Sequence, residues 1–142
     1  MVDNSNCAYC QEGELVAKFG IKICDLKASK VFLFKEQSHL GRCIVAYKDH
    51  AYDISELSPA DRAAYFDDVA KVSKAIQDAF HPDRINYGAY NDRGYHIHFH
   101  LVPKYKDEFE WGTTFTMDPN QKRLTDEEYA QIIQKIKDRL QK

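Results

Sequence analysis

The chain has 142 residues, 44% hydrophobic and 30% charged, the composition of a folded globular protein large enough for one hydrophobic core. Its net charge of −2 excludes bulk binding of nucleic acid, which needs a basic surface to displace counterions. No apolar run approaches the roughly 20 residues of a membrane span, and residues 1–6 have neither the basic nor the apolar region of a signal peptide. A cytoplasmic location is expected, with thiols or metal ligands rather than disulfides.

In chain order, the first landmark is Cys7-Ala8-Tyr9-Cys10. This spacing suits a tetrahedral metal turn or a redox pair. A redox motif opens a helix, and no helical periodicity follows Cys10. As a metal turn it is half a site, with partners elsewhere. Cys24 and Cys43 fall within apolar runs and read as small core residues.

Residues 15–19, 21–24, 31–34 and 42–47 are short β-branched or aromatic runs divided by Gly20 and by polar segments, which predicts strands. Short connections favour antiparallel pairing. Ser58-Pro59-Ala60-Asp61 starts a helix: Ser58 caps, Pro59 suits the first position and Asp61 favours the positive end. Tyr65, Phe66, Val69, Val72, Ile76, Ala79 and Phe80 then recur every three or four residues as a buried stripe, which Pro82 stops. Residues 85–90 form another strand, and Asn91-Asp92-Arg93-Gly94 is a turn. Thr125-Asp126-Glu127-Glu128 is a capping box, followed by the apolar stripe Tyr129, Ile132, Ile133, Ile136 and Leu140 of a C-terminal helix. The expectation is a single α+β domain over residues 1–142: five or six antiparallel strands, one long central helix and a C-terminal helix.

Between the turn and this tail lies the most informative stretch, Tyr95-His96-Ile97-His98-Phe99-His100-Leu101-Val102-Pro103. Side chains alternate on a strand, so Ile97, Phe99 and Leu101 enter a core while three imidazoles share the opposite face. Zinc is one candidate for such a row, held by two of the histidines in a metallohydrolase. One ion does not take all three, because His96 and His100 would stand about 13 Å apart along the strand. Phosphorus chemistry is the other candidate, because a neutral imidazole is a nucleophile near pH 7 and its neighbours donate to phosphate oxygens.

The run His96-Ile97-His98-Phe99-His100-Leu101-Val102 resembles the signature of the histidine triad (HIT) family of nucleotide hydrolases and transferases. Gly41-Arg42-Cys43-Ile44-Val45-Ala46-Tyr47-Lys48-Asp49-His50 is similar to the family's Gly-His-x-Leu-Val-x-Pro-Lys-x-His strand, with Arg42 in place of a histidine and Tyr47 in place of a proline. Eight residues before Arg42, Phe34 stands where well-known members carry the Asp or Asn that holds the ribose.

The resemblance implies the HIT fold and a homodimer formed by joined sheets. It implies that His98 attacks the α-phosphorus of a nucleotide to give a nucleotidyl-histidine, which water hydrolyses. His100 then binds a phosphate oxygen and protonates the leaving group, with His96 beside them. Asn86, Asn91, Arg42 and Lys104 are candidate contacts to sugar or phosphate. The substrate would be a dinucleoside polyphosphate or a nucleoside phosphoramidate, with no organic cofactor. A nucleotide-binding module that turns over weakly is the alternative. The resemblance further implies a structural zinc on Cys7, Cys10, His50 and His96. His39 and His81 read as ordinary loop and helix-end residues.

Overall fold

The computed structural model describes residues 5–93 and 96–141; Met1 to Asn4 of the leader reading, Gly94 of the expected turn and Tyr95 lie outside them. Five strands form, β1 (Gly20–Asp25), β2 (Ser29–Phe34), β3 (Cys43–Tyr47), β4 (Arg84–Gly88) and β5 (His98–Lys104). All pairings are antiparallel, in the order β1-β2-β3-β5-β4. With the helices this is the expected α+β arrangement.

Two local expectations are corrected. Residues 15–19 do not form a strand; α2 (Glu14–Ala17) is a single helical turn there, preceded by α1 (Ala8–Gln11), which carries Cys10. An apolar run this short does not distinguish the two periods. The histidine strand begins at His98 rather than His96. Its approach is still pinned, since Ile97 donates to the Ala51 carbonyl and accepts from Tyr47 N–H, both at 2.9 Å.

Helix α3 (Pro59–Phe80) starts as the sequence predicts, with Ser58 Oγ accepting from Asp61 N–H. It ends where His81 enters the left-handed region at φ 53° ahead of Pro82. Tyr65, Val69, Val72 and Ile76 are buried, whereas Phe66 stays 38% exposed and leaves the stripe. Helix α4 (Asp126–Leu140) opens on the complete Thr125–Glu128 capping box and buries Tyr129, Ile132 and Ile136. Among the described residues, no helix is long and apolar enough to cross a membrane.

The alternation of the strands divides the molecule. One sheet face sends Val31, Leu33, Cys43, Val45, Tyr47, Ile97 and Leu101 into the main core with α3 and α4. Tyr65 crosses that core and donates its hydroxyl to the Val45 carbonyl at 2.7 Å. Phe32, Phe34, Ile44 and Ala46 point the other way, where Tyr9 and Val16 of the N-terminal turns cover them. His98 and His100 lie opposite Ala46 and Ile44 in the register. The triad therefore occupies the face that no long helix covers.

Candidate active site and metal cluster

The alternation places His98 and His100 side by side, with ring centroids 5.6 Å apart. His98 Nδ1 lies 2.7 Å from the His96 carbonyl. A carbonyl only accepts, so Nδ1 carries the proton and Nε2 keeps its lone pair. Burial holds the His98 pKa below the ordinary histidine value, which keeps the ring neutral. The ring lines a cavity of about 780 Å³ whose wall includes Tyr9, Phe19, Tyr52, Tyr90 and Phe115. A neutral imidazole with one nitrogen held by the backbone is suited to nucleophilic attack.

His96 is turned elsewhere. Its Nε2–H donates to the Tyr47 carbonyl at 2.7 Å, which leaves Nδ1 as a ligand atom. That atom stands 3.3 Å from Cys7 Sγ, 3.4 Å from Cys10 Sγ and 3.3 Å from His50 Nδ1, while Cys10 Sγ lies 3.2 Å from His50 Nδ1. All four ligand atoms fall within 4.8 Å of one another. A tetrahedron with Zn–S of about 2.3 Å and Zn–N of about 2.0–2.1 Å has edges of about 3.3–3.8 Å, so the set fits that ion. The Tyr47 carbonyl supplies the outer hydrogen bond that orients a ligating imidazole. Cys7, Cys10, His50 and His96 are thus brought together, and His98 and His100 are no part of the cluster.

The expected phosphate donors are placed differently. Arg42, at the entrance to β3, is fully buried. Its Nη1 donates to the Thr116 carbonyl at 3.1 Å; its Nη2 donates to the Met117 carbonyl at 2.9 Å and to His100 Nδ1 at 3.1 Å. Phe34 packs 4.0 Å from the guanidinium carbon on one ring face and Phe115 lies 4.9 Å away. Lys104 is buried and donates to the carbonyls of Glu110 and Thr113, each at 2.7 Å. Both cations donate to backbone oxygens of the segment after β5, and Arg42 also to His100. Their long stems reach the carbonyls of a loop that lacks regular pairing, and among the described residues Arg42 Nε is buried without a hydrogen-bond partner.

Asn86 shares the triad face but lines a separate concavity with Arg84, Lys104 and Trp111. Asn91 is exposed and donates to the Tyr52 carbonyl at 3.2 Å, between cavity-lining Tyr90 and Asp92. His39 lies in a loop as expected, but is buried there, with Nε2 2.7 Å from Glu110 and its ring tilted against Phe109 at 5.3 Å. His81 is the helix end foreseen.

Tyr9 was missed by the sequence reading. Its ring lies 5.4 Å from His96 and 5.1 Å from His98, bridging cluster and nucleophile. Its place between Cys7 and Cys10 was a usable signal, because anchoring both cysteines on His96 forces it against the next triad ring. Phe115 and Met117 of the cavity wall carried no such signal.

The HIT domain model matches residues 21–107. The chain is 28% identical over 140 residues to the adenosine 5′-monophosphoramidase of Schizosaccharomyces pombe, covering 90% of this chain and 98% of that protein. A histidine triad protein from Bradyrhizobium japonicum superposes with a TM-score of 0.82 at 18% identity, covering 90% and 96% of the two chains. A zinc-bound histidine triad family protein from Mycobacterium smegmatis gives a TM-score of 0.69 at 18% identity, covering 98% and 96%.

Proposed function

The chain belongs to the HIT domain family, and on that premise we propose that it is a nucleotide hydrolase acting at an α-phosphate. The substrate is a dinucleoside polyphosphate or a nucleoside phosphoramidate. One observation carries the reading: His98 donates Nδ1–H to the His96 carbonyl at 2.7 Å, so its free Nε2 belongs to a ring on the cavity wall. That nitrogen attacks phosphorus and forms a nucleotidyl-histidine, which water then cleaves. His100 presents its remaining N–H to a phosphate oxygen, and Asn91 at the rim contacts the sugar or phosphates. The likeness to a named phosphoramidase supports the reaction class.

Cys7, Cys10, His50 and His96 would hold a zinc ion, which with four protein ligands would leave no open position for water and would be structural rather than catalytic. These four residues tie the N-terminal turns to the triad, and His96 supplies the carbonyl on which His98 rests.

His98→Ala abolishes turnover of every cleaved substrate while circular dichroism and the thermal midpoint stay near the parent's. Full activity in that variant would remove the assignment.

A second reading has its own observation. Phe34 is buried against Arg42. Glu36, the carboxylate two residues on, already accepts from the backbones of Ser38, Gln121 and Lys122 and from Ser38 Oγ. No carboxylate of this segment is free for a ribose. A weakly active binding module follows if calorimetry detects a nucleotide that stays intact for hours; prompt release of a nucleoside monophosphate rejects it.

A further inference from the structure

We infer that Arg42 fixes His100 as a neutral Nε2–H hydrogen-bond donor that gives no proton to the leaving group, so the site prefers phosphoanhydrides to phosphoramidates. The inference rests on His98 as the attacking residue and narrows the substrate class proposed above.

An arginine side chain donates hydrogen bonds and accepts none. Its Nη2 lies 3.1 Å from His100 Nδ1, so that nitrogen must present a lone pair, and the ring's single proton sits on Nε2. Protonating Nδ1 would set two cationic donors against each other in a buried site. The guanidinium cannot turn aside, because Thr116 and Met117 carbonyls hold it and Phe34 and Phe115 flank it. Aromatic rings complete the surroundings of His100: His98 at 5.6 Å, Phe34 at 5.5 Å and Phe115 at 6.0 Å. The carboxylates that act on Arg42 at longer range are Glu36, Asp118 and Glu110. Burial and the Arg42 charge together lower the His100 pKa to about 3.

The consequence is a matter of proton balance. His98 Nε2 supplies the electron pair of the new P–N bond, and the bond from phosphorus to the leaving group breaks with its pair going to that group. A phosphate departs as an oxyanion and needs no proton. An amine must gain one on nitrogen as it leaves. A neutral His100 could give that proton only by becoming an imidazolate anion, which is inaccessible near pH 7. In the second step water attacks phosphorus, the pair of the P–N bond returns to His98, and the water proton passes to solvent. Arg42 is thus a positioning residue that selects the leaving group.

Two probes decide this: diadenosine tetraphosphate and the phosphoramidate of AMP with a primary alkylamine, each assayed on the zinc-loaded protein. Positioned acid catalysis is worth about 10²–10⁴-fold, so kcat/KM should favour the anhydride by about that factor. Arg42→His, which admits a proton on Nδ1, should narrow the ratio at least about tenfold through a faster amide reaction. ¹⁵N spectra of His100 in the parent protein should show a bare Nδ1 and a protonated Nε2 from about pH 7 to about pH 5. Equal turnover of both probes, or a proton on Nδ1 at pH 7, would overturn the inference. The spectra need neither substrate nor variant, so they decide the matter even if Arg42→His does not fold. An active His98→Ala would reject the parent reading while leaving the tautomer result intact.

Discussion

His98 and His100 are two residues apart on one strand, yet opposite kinds of partner hold their Nδ1 atoms. A carbonyl accepts from the first and a guanidinium donates to the second, so the first ring keeps a bare Nε2 and the second carries its proton there. A stability prediction belongs at this scale. The His100 pKa falls from 6.5 to about 3 on folding, so below pH 6.5 the unfolded chain takes up a proton that the native one refuses. Stability is therefore complete above about pH 6.5 and is lost as pH falls toward 3, by at most about 1.4 kcal/mol per pH unit. Urea unfolding at about pH 7 and about pH 5 should show a shallower loss for His100→Gln than for the parent; identical slopes would contradict it. At this scale the His98 tautomer follows from a local partner, the carbonyl two residues earlier on the approach to β5. The sequence concealed the commitments of Arg42 and Lys104, whose backbone partners lie in the segment after β5, which has no periodicity and is remote from Arg42 in the chain but adjacent to Lys104.

Helices α3 and α4 and all five strands were legible as elements, from caps, apolar periodicity or β-branched and aromatic runs. The failures fall where those signals are short. Residues 15–19 look like a strand by composition, but after Gly13 at φ 61° residues 14–17 form the single helical turn α2. The cluster that Cys7 and Cys10 complete gives the prediction at this scale. Metal analysis should find about one zinc per chain in the parent and little in Cys7→Ala, with a lower thermal midpoint for the variant. Zinc retained at parental occupancy without Cys7 would point to a site on the other triad histidines.

For the whole molecule, a single sheet divides the labour: helices on one face supply the core, and the other face is left for the triad, the Cys/His cluster and the cavity. That division was readable from the strict alternation of histidine with Ile97, Phe99 and Leu101, whereas the cavity wall is assembled from several separate segments, Tyr9, Phe19, Tyr52, Tyr90 and Phe115 among them, which pattern reading does not bring together. We propose that two copies join their sheets through one of the edge strands, β1 or β4. Sedimentation at micromolar concentration should then give twice the chain mass of 16.5 kDa, and a monomer would argue against it. The most direct test of the chemistry is to trap the covalent state. Acid-labile adducts are preserved by rapid alkaline quench during a single turnover of diadenosine tetraphosphate, followed by peptide mass mapping. A nucleoside monophosphate increment on His98, appearing before product and decaying with its release, is the expected result. Product formed with no such increment, or with the increment on another residue, would contradict it.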